Sequence, residues 1–306
     1  MARKIGIIGL GNVGAALAHS LICQGMAESY VFIDVSEEKS QADALDFEDA
    51  MANLKQFAHI EVNDYQALAD ADIVVSALGN IALQHNAGED RFAEFPFTKL
   101  AVKEVSKRLV EVGFKGILLV ITNPCDAVCA LYQHYTGFPK EKVFGTGTLL
   151  DTARMKRALG KAFEVNPKSV SGYNLGEHGN SQFVAWSQVS LKGQSIMDLT
   201  TRDQREELNL AAVKGGHTVF YGKGYTSFGI AASACRLIEQ ILTDAKEVLP
   251  VSSYQEKFQT YLGYPAIIGR DGIVERVELN LTEEEEIKLA ASAKLIKERV
   301  EAVLAE

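Results

Sequence analysis

The sequence predicts an α/β protein, a doubly wound parallel sheet followed by an α+β catalytic and substrate-binding domain. Three observations carry that expectation. Apolar strand-like runs and helical stretches alternate through the first half, which places crossover helices between parallel strands. The first apolar run ends in Gly9-Leu10-Gly11-Asn12-Val13-Gly14, and the second ends on Asp34. The second half is less regular, with short strand-like pieces between helical segments. At 306 residues the chain is long enough for two packed domains, and the boundary is expected near Gly145, giving 1–145 and 146–306.

Taken in order, Ile5, Ile7 and Ile8 read as a buried strand that breaks at Gly9 and leads into the helical AALAHSLICQG. The glycines have separate tasks: a tight turn, close approach of backbone to a pyrophosphate, and close helix–strand packing. Exposed amides and the dipole at the helix start suit phosphates. The strand YVFID then ends on Asp34, placed to hydrogen-bond the ribose hydroxyls of NAD. Motif, spacing and context agree on a Rossmann dinucleotide site at Gly9, Gly11, Asn12, Val13, Gly14 and Asp34.

A helix is expected to about Leu54, then a strand at His59–Val62. DIVVSALG gives a buried strand ending at Gly79, before the polar NIALQHNAGEDR. Phe92–Val112 has helical spacing, and GILLVITNP is a strand ending at Asn123-Pro124. EKVFGTGTLLDTARMKRAL passes from strand to long helix. Beyond it, SVSGYNLGEHG and QFVAWSQVSLKG read as strands, and Arg202–Tyr221 and Ser227–Ala245 as helices. Glu247–Leu281 is expected to be antiparallel strands turning at Gly263, Gly269 and Gly272. Thr282, with Glu285 three residues on, caps a final helix.

Composition narrows the function classes. A net charge of −9 argues against nucleic acid, whose phosphates need a basic face. No apolar run approaches the roughly 20 residues of a membrane span. The four cysteines have no metal-ligand spacing and are too few for a disulfide framework, and the six histidines form no H-x-x-x-H pair. A reduced, metal-free, cytoplasmic protein is expected. The acidic run Glu283–Glu286 belongs to a helix N-terminus rather than to a metal.

The chemistry must come from the second half. GEHGNS places His178 between glycines that let a ligand approach the ring, and imidazole suits proton transfer near neutrality. Asp151 and Arg154, three apart on one helix face, read most simply as a local ion pair. The ordered set GIIGLGNVG, ITNP, GTGTLLDTARM, GEHGNS and KGYTS resembles, over essentially the whole length, the L-2-hydroxyacid dehydrogenases of the lactate/malate dehydrogenase family, and among them the bacterial L-2-hydroxyisocaproate dehydrogenases.

The resemblance implies that His178 donates and accepts the proton, with Asp151 orienting it. It implies that Arg154 grips the substrate carboxylate and that Arg91 polarises the carbonyl from a mobile loop. Asn123 is implied near the carbonyl and nicotinamide, Gly79 beside the cofactor, and Thr226 in the substrate pocket. Gly215 and Gly216 resemble the small residues that leave room for a longer substrate tail. Leu83-Gln84-His85-Asn86 has no arginine to meet a second carboxylate, against malate chemistry. Lys156 and Ser171 stand where sugar-bisphosphate-activated relatives carry Arg and His, so that allosteric site looks degraded, and Asn180 stands where lactate enzymes commonly have Asp. The expected activity is NAD-dependent oxidoreduction of a medium-sized apolar 2-oxo acid. An L-lactate dehydrogenase and a catalytically silent NAD-binding sensor are the rivals, and a homotetramer is expected from the resemblance.

Overall fold

The computed structural model describes residues 2–85 and 92–306, with backbone alone at Gln84 and His85. The first half alternates as β1 (Lys4–Ile8), α1 (Asn12–Gln24), β2 (Ser29–Ile33), α2 (Glu37–Met51), β3 (His59–Val62) and β4 (Ile73–Ser76). It continues with α3 (Ile81–His85), α4 (Phe95–Glu111), β5 (Ile117–Val120), α5 (Cys125–Thr136) and β6 (Val143–Gly145). These strands are parallel in the order β3-β2-β1-β4-β5-β6. The order reverses between β1 and β4, and the crevice beyond their carboxyl ends is where an open α/β sheet binds ligands.

The second half opens with α6 (Leu149–Ala162). Short strands β7 (Val170–Ser171), β8 (Asn174–Leu175), β9 (Phe183–Val184), β10 (Ser190–Leu191) and β11 (Gln194–Ser195) lead to α7 (Ile196–Leu199). Helices α8 (Arg202–Lys223) and α9 (Phe228–Thr243), strands β12 (Glu247–Gln255), β13 (Thr260–Gly269) and β14 (Gly272–Arg276), and α10 (Glu283–Leu304) complete it. The two halves share one sheet. Strand β12 joins β6 antiparallel through Ser252 and Gly145, extending the sheet to nine strands among the described residues.

Two apolar layers sandwich that sheet. Leu17 and Leu21 of α1 and Ile238 and Ile241 of α9 pack on one face, and Val102 of α4, Leu131 of α5 and Ile296 of α10 on the other. A smaller core of Met155, Leu159, Val184, Leu191 and Ile196 holds the short strands against α6. Thr282 and Glu285 form the reciprocal capping box at the start of α10.

Two expectations are corrected. Gly263 lies inside β13 and pairs with Gly176, where a Cβ would sit 2.6 Å from Thr148; the turn is made at 256–259, with Gln259 at φ 54°. The segments SVSGYNLGEHG and QFVAWSQVSLKG do not form long strands. They fold as short antiparallel pieces, because bends at glycines such as Gly172 (φ 123°) aim the chain toward the sheet's crevice.

Candidate active site

The crevice is a continuous cavity of about 1140 Å³, running from Asp34 past the first glycine turn to His178. Gly9, Gly11, Asn12, Val13, Asp34, Gly79, Asn123, Asp151, Arg154, His178, Gly216 and Thr226 all border it. Its size suits a dinucleotide with a small acid beside it.

At the dinucleotide end, Gly9 holds φ 96°, with space for a Cβ taken by the Ala77 carbonyl at 2.6 Å. Gly14 does not border the cavity: a Cβ there would lie 1.9 Å from the Gly9 carbonyl, so it serves the packing of α1 on β1. Gly11, the N-cap of α1, faces open space and caps no amide with a side chain. The helix start therefore offers uncapped amides and no obstructing Cβ, which fits a pyrophosphate. Asp34 accepts the Leu10 N–H at 2.7 Å and the Ser36 N–H at 3.0 Å, standing as an acid at the end of β2 beside the glycine turn. Lys39 donates to the Leu10 carbonyl at 2.6 Å and pairs with Asp43. These residues fit NAD.

In the middle of the crevice, Asn123 ends the segment after β5 and precedes a cis peptide to Pro124. The preceding Thr122 is held by buried hydroxyls, Ser76 Oγ lying 2.9 Å from both Thr122 Oγ1 and Tyr132 Oη. Burial holds the Tyr132 phenol above its ordinary range, so it acts as a neutral hydrogen-bonding group.

Asp151 and Arg154 project from the first turns of α6, with Arg154 Nη1 3.0 Å from Asp151 Oδ1. The other oxygen of Asp151 lies 2.6 Å from His178 Nδ1. The side chains of His178 and Asp151 are only 10% and 5% exposed, so their contact is poorly screened by water. His178 reaches α6 from a loop pinned by the Gly176–Gly263 bridge, in which each N–H donates to the other carbonyl at 2.8–2.9 Å. Its own N–H donates to Asp126 Oδ2 at 2.7 Å. The buried Glu177 ties the loop further, accepting the Ser181 hydroxyl at 2.6 Å. With Nδ1 engaged, Nε2 is the nitrogen left to exchange a proton with a ligand.

Toward the expected substrate side, Thr226 borders the cavity just past the end of α8. Gly215 does not: a Cβ there would lie 2.0 Å from Arg157 Nη2, so its smallness serves helix packing rather than a pocket. Gly216 does border the cavity, and a Cβ would lie 3.2 Å from Arg154 Cζ. Arg91 lies outside the described residues, as does Asn86. Sequence reasoning missed the remaining α8 wall, Asn209, Ala212, Val213, His217, Phe220 and Tyr221. Their three- and four-residue spacing was a readable signal that one helix face looks into the site. Asp126 and Lys39 were missed as well. Among the described residues, no group of three or more His, Cys, Asp and Glu could hold a metal, and no helix is long and apolar enough to cross a membrane.

Comparison with known proteins agrees with this geometry. Residues 3–145 match the family described as lactate/malate dehydrogenase, NAD binding domain, and residues 148–306 its alpha/beta C-terminal domain. The chain is similar to an L-lactate dehydrogenase of Mycoplasma mobile, 32% identical over 311 residues covering 99% of this chain and 97% of that one. It is 34% identical to L-lactate dehydrogenase 1 of Bifidobacterium longum subsp. longum over 313 residues, covering 99% and 98%. Among solved structures, it superposes on the minor L-lactate dehydrogenase of Enterococcus mundtii with a TM-score of 0.91, at 32% identity over 99% of this chain and 98% of that chain. A lactate dehydrogenase from a Medee basin deep-sea metagenome library gives a TM-score of 0.92 at 29% identity, covering 98% and 99%.

Proposed function

The chain belongs to the lactate/malate dehydrogenase family and is an NAD-dependent oxidoreductase acting on CH–OH, and from that premise we propose that it interconverts a medium-sized, apolar 2-oxo acid, of the 2-oxoisocaproate kind, with its L-2-hydroxy acid. The observation that carries the 2-oxo acid chemistry of this reading, which the second reading shares, is the single carboxylate of Asp151 bound to both His178 and Arg154 in the cavity. The apolar residues of the α8 wall, Ala212, Val213 and Phe220, which border the same cavity as Thr226, support an apolar tail. A second reading, L-lactate dehydrogenase, is favoured by the names of the similar proteins.

In this reading Gly9, Gly11, Asn12, Val13, Asp34, Gly79 and Asn123 hold the cofactor, and Gly14 sets the helix above it. When bound, the nicotinamide supplies the hydride chemistry. Arg154 binds the substrate carboxylate with its planar fork, which fixes the carbonyl relative to His178. His178 gives a proton from Nε2 to the carbonyl oxygen during reduction and takes it from the hydroxyl during oxidation. Asp151 holds the ring with Nδ1 protonated and stabilises the imidazolium. Arg91 polarises the carbonyl and helps exclude water. We assign the working form to a homotetramer in the cytoplasm. The exposed apolar side chains Leu210 and Val219 on α8, which do not line the cavity, support an assembly.

The test is oxidation of NADH by the purified protein on addition of a panel of 2-oxo acids. Turnover led by 4-methyl-2-oxopentanoate supports the proposal, turnover led by pyruvate supports the second reading, and no turnover with any acid makes the chain a silent NAD-binding protein.

A further inference from the structure

A second carboxylate, on α5, holds the backbone of the histidine. Asp126 lies in the first turn of α5, three residues after Asn123, and is only 2% exposed. Its Oδ2 accepts the backbone N–H of His178 at 2.7 Å, and its Oδ1 accepts the Ser252 hydroxyl at 2.6 Å. Ser252 is itself fully buried and sits opposite Gly145, where the two halves of the sheet join. One carboxylate thus ties the segment bearing Asn123, the loop bearing His178 and the central sheet.

We infer that Asp126 is a positioning residue for His178, fixing the height of the imidazole relative to Asn123 and placing a second buried negative charge near the ring. The inference rests on His178 being the proton donor of the proposed reaction.

A carboxylate is a costly way to hold two donors, since a neutral amide oxygen could accept the same N–H without burying a charge. What the carboxylate adds is a stronger, charge-assisted bond and a field that favours an imidazolium. The groups facing it are His178 and Glu177 from the loop, Ser252 from β12, and the Cys129 thiol on its own helix. Burial pushes Asp126 up to about 6, opposed by the bonds from Ser252 and His178 and by the nearby imidazole, so it is anionic at and above neutral pH.

The experiment uses the full-length Asp126→Asn protein, which keeps an acceptor for the His178 N–H but loses the charge. The rate of 2-oxo acid reduction is followed against pH. The alkaline limb should move to lower pH, so that turnover at alkaline pH falls about tenfold, while the acidic plateau falls less than about threefold. Ser252→Ala removes a bond that holds Asp126 ionised, so Asp126 should be more protonated near neutral pH and turnover there should fall by up to about threefold while the alkaline limb stays in place, and it serves if Asp126→Asn does not fold. A pH profile that superimposes on the wild type, or a loss uniform across pH, overturns the inference. If wild type reduces no 2-oxo acid, or His178→Asn turns over normally, the reading of His178 has failed and the inference falls with it. A dead His178→Asn beside an unshifted Asp126→Asn isolates failure of the inference alone.

Discussion

Asp151 Oδ2 lies 2.6 Å from His178 Nδ1, while Oδ1 of the same carboxylate lies 3.0 Å from Arg154 Nη1. One buried anion therefore aligns the proposed proton donor and the proposed substrate-binding cation together. Removing either partner leaves the other facing a less balanced charge in a poorly solvated site. In the proposed mechanism this couples substrate binding to proton transfer through a group that does neither.

Replacing Arg154 by Lys keeps a positive charge beside Asp151 but loses the planar fork. The loss of roughly 1.5–3 kcal/mol for a hydrogen bond to a charged group corresponds to about 10- to 150-fold in kcat/KM. Affinity for NADH, measured by fluorescence titration, should barely change. A large loss of NADH affinity would make Arg154 a structural residue.

For His178 the sign follows from the proton it must deliver. Reduction requires the imidazolium, so its rate should fall as pH rises, whereas oxidation requires neutral imidazole and should rise. His178→Asn should lose at least about a hundredfold of turnover in both directions while still binding NADH. Turnover near wild type in that variant removes His178 from the mechanism.

At the other end of the cavity, Asp34 should repel the 2′-phosphate of NADP. Asp34→Ser should narrow the preference for NADH by about tenfold, equivalent to ~1.4 kcal/mol of relieved repulsion. Lys39, held at the Leu10 carbonyl beside Asp34, is then the cation available to that phosphate. Adding Lys39→Ala to Asp34→Ser should therefore reverse much of the gain, as read from kcat/KM with the two cofactors. Equal efficiency of the wild type with NADH and NADPH would sink this argument.

The glycine turn, Asp34 and the parallel half of the sheet were legible because each rests on local chemistry: runs of apolar residues, a turn residue, an acid in register. Asp151 and Arg154 were legible as a pair, but their meeting with His178, 27 residues away, is a tertiary fact that no local pattern encodes. Only likeness to a known family pointed to it. Gly263 misled because a glycine between strands suggests a turn, whereas here it lets the Gly176 loop approach β13. Gly215 misled in the same way, its missing side chain making room for Arg157. Asp126 carried only a helix-start signal in sequence, and its role depends on two distant segments closing over it.

Asp126 also predicts a pH dependence of stability. Its folded-state value of about 6 lies above the ordinary 3.8, so the folded state binds a proton more tightly than the unfolded chain. The stability linked to that proton is present in full below the unfolded value and is lost as pH rises through about 6. Asp126→Asn, which cannot titrate, should gain in Tm relative to wild type as pH rises from acidic to neutral. A Tm difference that stays constant across that range by calorimetry would show that folding leaves Asp126 at its ordinary value.

Substrate choice depends on which groups are left unmatched in the cavity. Oxaloacetate would bring a second carboxylate, and Leu83-Gln84-His85-Asn86 supplies no arginine to meet it, at a cost of several kcal/mol for an unpaired buried charge. Pyruvate leaves the apolar α8 wall uncovered, whereas each added methylene that is buried there gains about 0.8 kcal/mol. 4-Methyl-2-oxopentanoate should thus exceed pyruvate in kcat/KM by about one to two orders of magnitude, with phenylpyruvate also accepted and oxaloacetate last. The two glycines of α8 separate pocket from packing. Gly216→Ala narrows the cavity beside Arg154 and should reduce the preference for the longer acid by about tenfold, or ~1.4 kcal/mol. Gly215→Ala, which displaces only the mobile guanidinium end of Arg157 and adds helix propensity, should leave the preference unchanged with Tm held or slightly raised. If pyruvate leads the series, the α8 wall does not receive the substrate tail, and the enzyme is an L-lactate dehydrogenase.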